Sequence, residues 1–110
     1  MRFFVKDNER KNTNYHEFYK GRWDGVTFWK EDSLLLHMDI FDQLNLYSVF
    51  IAALPDFNYY GETYVTPAQY ELLKSSAFTQ GGEIAVLFAE LDIWVSECFK
   101  TESCFIIQGI

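Results

Sequence analysis

The chain has 110 residues, of which 49% are hydrophobic and 19% aromatic, and a formal net charge of −7; that is the size of one domain, with enough ring surface to fill a core without disulfides or a metal. Seven of the nine basic residues fall within the first 30 positions, so residues 31–110 carry about −10 with only Lys74 and Lys100 in opposition. This excludes nucleic acid as a partner, because phosphate binding runs on Lys and Arg, and points instead to solubility and steered encounters with basic surfaces.

In chain order, Arg2 to Lys6 is apolar at Phe3, Phe4 and Val5 and reads as a short first strand. Residues 7–22 are polar and turn-rich, with a few aromatic anchors, and are expected to form an irregular arm with a helical turn around Tyr15 to Tyr19. Asp24-Gly25 marks a turn, and the aromatic and β-branched residues of Trp23 to Trp29 predict a strand around it. Lys30 to Ser33 is a polar turn into Leu34-Leu35-Leu36-His37-Met38, which reads as the second arm of a hairpin, with helix as the competing assignment.

From Asp39 the period changes. Ile40, Leu44, Tyr47, Ile51 and Leu54 recur in steps of three and four, Asp39 is a competent N-cap and Pro55 a stop, so a helix is expected over 39–53. Residues 62–66 predict a strand. Thr66-Pro67 then caps and opens a helix running towards Ala77, and Thr79 to Gly82 reads as a loop. Ile84, Leu87, Phe88, Leu91, Val95 and Cys98 hold a helical stripe over Glu83 to Phe99, broken by Lys100-Thr101-Glu102, and Ser103 to Gly109 closes the chain as a buried strand. The sum is a single α+β domain over 1–110, a small and mainly antiparallel sheet packed against about three helices.

Chemistry is sparse. No serine lies in a Gly-x-Ser-x-Gly setting. Cys98 and Cys104 read as buried, reduced thiols rather than a redox pair or zinc ligands. His37 with Asp39, or His16 with Glu17, lacks the clustering of a metal site, and neither cofactor nor metal is expected. The pairs Asp39/Asp42 and Glu90/Asp92 fit solvated helix faces, and Gly81-Gly82 has no basic residue to support anion binding. What stands out is Asp56-Phe57-Asn58-Tyr59-Tyr60-Gly61-Glu62-Thr63-Tyr64, where tyrosines alternate with carboxylates. Tyrosine supplies rigid contact area and carboxylates pair with Arg or Lys across a rim, which suits a protein interface; the competing reading turns two of these three tyrosines into the core.

Several segments together resemble the small immunity proteins of bacterial toxin–immunity systems, especially those of contact-dependent growth inhibition. They are Gly21-x-Trp23-Asp24-Gly25-Val26-Thr27-Phe28, Tyr60-Gly61-Glu62-Thr63, Pro67-Ala68-Gln69-Tyr70, Ile93-Trp94-Val95 and the terminal Phe105 to Ile110, spread over about 90 residues. The resemblance implies a cytoplasmic protein with no reaction of its own. Such a protein binds the C-terminal toxin domain of a cell-surface effector, in many cases a basic nuclease, and blocks it. Carboxylates would stand in for nucleic-acid phosphates in the basic cleft while aromatic anchors exclude water, which makes Trp23, Asp24, Asp39, Asp42, Asp56, Tyr59, Tyr60, Glu62 and Tyr64 the candidate contact residues. The free chain is expected to be a monomer, without nucleic-acid or membrane partners: Phe3-Phe4-Val5 is too short for a secretory signal, and Val49 to Leu54 is far below the ~18 residues of a membrane helix. Two other classes fit the composition less well: a small-molecule-binding domain or small enzyme with an aromatic-lined pocket, and a general acidic decoy that mimics DNA.

Overall fold

The computed structural model describes residues 1–110. Five strands, β1 (Phe4–Val5), β2 (Tyr15–Lys20), β3 (Leu34–His37), β4 (Glu62–Val65) and β5 (Phe105–Gln108), form one antiparallel sheet in the order β1-β3-β2-β5-β4. Four helices, α1 (Met38–Gln43), α2 (Leu46–Ala53), α3 (Pro67–Gln80) and α4 (Gly82–Thr101), accompany it, and a 3-10 turn spans Asp7–Glu9. The last strand inserts between β2 and β4, so both it and β2 are interior. Every residue of β5 is buried, as is all of β2 except Lys20.

The α+β architecture of an antiparallel sheet on helices follows the sequence, with several local corrections. Tyr15–Lys20, expected within an irregular arm, is instead the central strand. An interior strand buried on both faces need not alternate, and this one buries two polar residues, His16 on the helix-facing side and Glu17 on the other, which disguises it. Trp23 to Trp29, expected as a strand, is part of the long connection between β2 and β3. There the Asp24 carboxylate accepts the N–H groups of Val26 and Thr27, at 2.9 and 2.7 Å, and the Thr27 hydroxyl, closing a side-chain-built turn that competes with any ladder. Trp29 has φ +58, outside the strand region. The hairpin arm opposite β3 is therefore β2.

The single helix expected over 39–53 is broken in two. Asn45 sits at φ +51 and ψ +44, the left-handed conformation that asparagine tolerates better than most residues, and it redirects the chain between α1 and α2. The cap is also two residues earlier than expected: His37 is the N-cap and its Nδ1 accepts the Asp39 N–H at 3.0 Å. Thr66 caps the helix before Pro67 as expected, and Gln69 completes a capping box with it, but α3 runs on to Gln80 and the predicted loop shrinks to Gly81, at φ +68. The count of helices is thus four rather than three.

On the helix-facing side, Phe4, Phe18, Leu34, Leu36, Phe105 and Ile107 of the sheet meet Phe41, Phe50, Leu73, Phe88, Leu91 and Trp94 in one core. The opposite side is not bare. Residues of one register row, Leu35, Glu17 and Gln108, are buried there beneath the β2–β3 connection. Glu17 accepts the Ser33 hydroxyl at 2.6 Å and the Lys30 N–H at 3.1 Å, while the Lys30 ammonium lies 4.3 Å from the Tyr19 ring centroid. The connection thus covers part of the outer face, where Glu17, Tyr19, Leu35 and Ile106 are buried, while Glu62 and Tyr64 of the edge strand β4 stay exposed on it.

Glu90 and Asp92, expected on a solvated face, have structural tasks. The Glu90 carboxylate accepts the backbone N–H groups of Arg2, Phe3 and Phe4 at 3.0, 3.0 and 2.8 Å, tying the edge strand to α4. Asp92 accepts the Tyr70 hydroxyl at 2.8 Å. Cys98 and Cys104 are buried free thiols, as expected, and burial pushes the Cys98 thiol pKa up. No helix is long and apolar enough to cross a membrane.

Candidate functional site

Leu54-Pro55 ends α2 and delivers the chain into a connection that runs from Asp56 to Gly61 before β4 begins. Its position is fixed from both sides. Asn58 N–H donates to the Thr63 hydroxyl at 3.0 Å, and its Oδ1 accepts the Tyr60 N–H at 3.0 Å. Beyond β5, Gly109 N–H donates to the Gly61 carbonyl at 2.7 Å and Ile110 N–H to the Tyr59 carbonyl at 3.0 Å. A Cβ at Gly109 would collide with the Tyr59 carbonyl, so the close approach of the two backbones requires glycine there.

Two open hollows flank this connection. The first, about 540 Å³, is lined by Asp42, Tyr47, Phe57, Asn58, Tyr59 and Tyr60. The second, about 380 Å³, is bordered by Asp56, Glu62 and Tyr64, with Leu54 and Pro55 behind them. No Lys, Arg or His lines either one. Tyr60 is 78% exposed and Tyr64 41%, while Tyr59 is half-buried, so the tyrosines do not turn into the core as a pair.

The Tyr59 hydroxyl donates to Asp42 Oδ1 at 3.0 Å, and desolvation followed by that bond raises its pKa to about 12. Tyr59 therefore remains a hydrogen-bond donor at neutral pH. Its ring stands 4.9 Å from that of Tyr60 and 5.6 Å from Phe41, whose own ring stacks on Phe57 at 5.9 Å. Behind Tyr59 lies His16, fully buried, its ring 4.7 Å from Tyr59 and 4.3 Å from Phe41. Neither ring nitrogen of His16 has a hydrogen-bond partner. Desolvation lowers its pKa to about 4, against an opposing pull from the Asp42 charge, so the imidazole is neutral at pH 7.

Of the nine candidates, the fold gathers seven around this connection. Asp39, Asp42, Tyr59 and Tyr60 share the first hollow and its edge, and Asp56, Glu62 and Tyr64 the second. Asp42, Asp56 and Glu62 form no ion pair, and Asp39 meets only His37, at 3.6 Å. Elsewhere several carboxylates are paired: Glu71 and Asp92 with Lys74, Glu97 with Lys100, Glu83 with Arg2 and Asp7 with Arg10. The exposed acids of the candidate group are thus free for an external cation, as are Glu31, Asp32 and Glu102 away from it; what sets the group apart is that its free carboxylates lie among tyrosines.

Trp23 and Asp24 belong elsewhere. The Trp23 indole N–H donates to the Thr27 carbonyl at 2.7 Å, and the Asp24 carboxylate is occupied within its own turn, where the Thr27 hydroxyl and then the Thr27 and Val26 N–H groups hold its pKa down to about 2. Their only link to the tyrosine face is Arg22, whose guanidinium lies 5.8 Å from the Tyr64 ring centroid. Sequence reasoning missed Tyr47 and Phe57 as lining residues and His16 behind them. Phe57 stood inside the acidic tyrosine run and Tyr47 on the helical stripe, but the turn at Asn45 that brings them together carries no residue signal beyond an asparagine.

No group of three or more His, Cys, Asp or Glu side chains is placed to hold a metal ion. Comparison with family models, curated proteins and solved structures finds no match to this chain.

Proposed function

We propose that this chain binds a toxin domain with a basic active-site cleft, a nuclease in the simplest case, and neutralises it by laying the Asp39/Asp42/Asp56/Glu62 face with Tyr59, Tyr60 and Tyr64 over that cleft. The supporting observation is that these four carboxylates surround exposed tyrosines with no Lys or Arg bound to any of them. Free carboxylates held on a folded scaffold can take the places of nucleic-acid phosphates, and tyrosine rings can exclude water around the resulting charge pairs. The excess negative charge of residues 31–110 would speed encounter with a cationic surface. On this reading the chain acts in the cytoplasm, is a monomer until it meets its partner, and catalyses nothing.

The test is to read the gene immediately upstream of this chain's for an exported effector and to co-express that effector's C-terminal domain with the chain. The chain should restore growth to cells making that domain and should bind it directly. The double variant Asp56→Lys/Glu62→Lys alters two exposed side chains. It is expected to slow association about tenfold or more at low ionic strength, with the difference shrinking as salt screens the field. A neighbour with no exported effector, a failure to rescue, or association kinetics identical in the double variant would each count against the proposal.

A further inference from the structure

The first hollow has a chemistry more specific than negative charge. Its lining combines the rings of Tyr47, Phe57, Tyr59 and Tyr60 with the neutral amide of Asn58 and one carboxylate, Asp42. Asp42 Oδ1 already accepts the Tyr59 hydroxyl, so Oδ2 is the acceptor left for an incoming group. The same bond holds the Tyr59 ring in place, with the Tyr60 ring 4.9 Å away at 66° and the Tyr47 and Phe57 rings 5.8 Å apart. Ring faces are electron-rich, and a cation within about 6 Å of one is attracted by its quadrupole. An anion would meet Asp42 with no compensating base, and a purely apolar group would leave the carboxylate and hydroxyls without partners. The occupant with the right properties has a cationic head on an apolar stem. Between the two basic side chains, the planar guanidinium stacks on a ring and bonds a carboxylate at the same time, whereas an ammonium cannot stack.

We propose that the hollow between the α1–α2 corner and the Phe57–Tyr60 segment is the receptor for one arginine side chain of the basic partner, its guanidinium against the tyrosine rings and bonded to Asp42. This rests on the reading of the chain as a binder of a basic protein and names the anchor of that contact. His16 behind Tyr59 is neutral at pH 7, so no cation of the chain's own opposes an incoming one from beneath.

The test needs no partner. The free, full-length chain is titrated with N-acetylarginine N-methylamide while the tyrosine ring resonances are followed by NMR, with the citrulline analogue as a neutral isostere and the lysine analogue as the ammonium comparison. Saturable shifts of the Tyr47, Tyr59 and Tyr60 rings with the arginine compound, weaker by about fivefold or more with the other two, are expected. The exposed-site variant Asp42→Asn should weaken arginine binding about tenfold, and Asp56→Lys/Glu62→Lys, which alters the other hollow, should change it far less. Equal response to citrulline or lysine, or no response of these rings to arginine, overturns the proposal. Those results would leave rescue by the chain intact, whereas arginine binding without rescue would remove the partner reading and keep the hollow's preference.

Discussion

Phe41→Ala is expected to destabilise the chain by about 3–5 kcal/mol, a large share of the roughly 5–15 kcal/mol that holds a typical domain together. Phe41 is fully buried on α1 and touches the core and the candidate site at once. Its ring packs on Phe50 at 5.4 Å towards the interior, and on Phe57, Tyr59 and His16 at 5.9, 5.6 and 4.3 Å towards the hollow. Truncation leaves a cavity that the neighbouring rings can fill only by tilting, so the loss of stability should come with loss of the tyrosine near-ultraviolet dichroism. Phe41→Leu retains most of the apolar volume and should cost about half as much. Urea unfolding of the three proteins decides it. A deficit below about 1 kcal/mol for Phe41→Ala would mean the site rests on other supports.

The second large effect is a fall in stability between pH 6.5 and 4, traceable to one residue. Burial lowers the folded-state pKa of His16 from 6.5 to about 4. In that window the unfolded chain binds a proton that the folded chain does not, so stability rises with pH through the window, is complete above 6.5, and is lost on acidification. Over 2.5 units the linkage amounts to roughly 3 kcal/mol. The depressed carboxylates Asp24 and Glu97 also favour the folded state above their unfolded pKa values, but they give up their share below about pH 4 and are exposed. The two contributions therefore separate on the pH axis. Denaturation midpoints measured from pH 7 to 4.5 should fall steadily for the native sequence and stay nearly level for His16→Phe, or for His16→Leu should the larger ring not fit. A native chain whose midpoint is flat across that range, or a variant that keeps the slope, contradicts the assignment.

How far the sequence foretold this molecule depends on whether each residue's role is local. The stripe from Ile84 to Cys98, the Thr66-Pro67 cap and the stop at Pro55 are local devices, and the helices follow them. β2 was concealed because its identity is set by partners far along the chain. The donors that reach the buried Glu17, at its Oε2, come from Ser33 and Lys30, 16 and 13 residues later. Trp23 to Trp29 misled in the opposite direction. Its strand-forming composition was overridden by Asp24, whose side chain takes the N–H groups a ladder would need.

The site shows the same division. The run Asp56 to Tyr64 announces an acidic, tyrosine-rich surface by composition alone, and that surface is where both hollows lie. Asp39 and Asp42 were identified one by one, but their approach to Tyr59 depends on the α1–α2 turn. Trp23 and Asp24 looked equivalent to the others in the sequence, yet their polar atoms are used up inside their own loop. A helix period cannot announce a left-handed asparagine in its midst, which is why Tyr47 and Phe57 entered the site unforeseen.

The claim on which the functional account rests is that the tyrosine-acid face, and not the α3–α4 surface, meets the partner. Hydrogen exchange of the chain, free and bound to the toxin domain proposed as its partner, tests this directly. Protection on binding is expected in Asp39–Tyr47 and Asp56–Tyr64, with exchange near exposed Leu72 and Ile93 unchanged. Protection confined to α3 and α4, with the Asp56–Tyr64 segment exchanging as in the free chain, would contradict it.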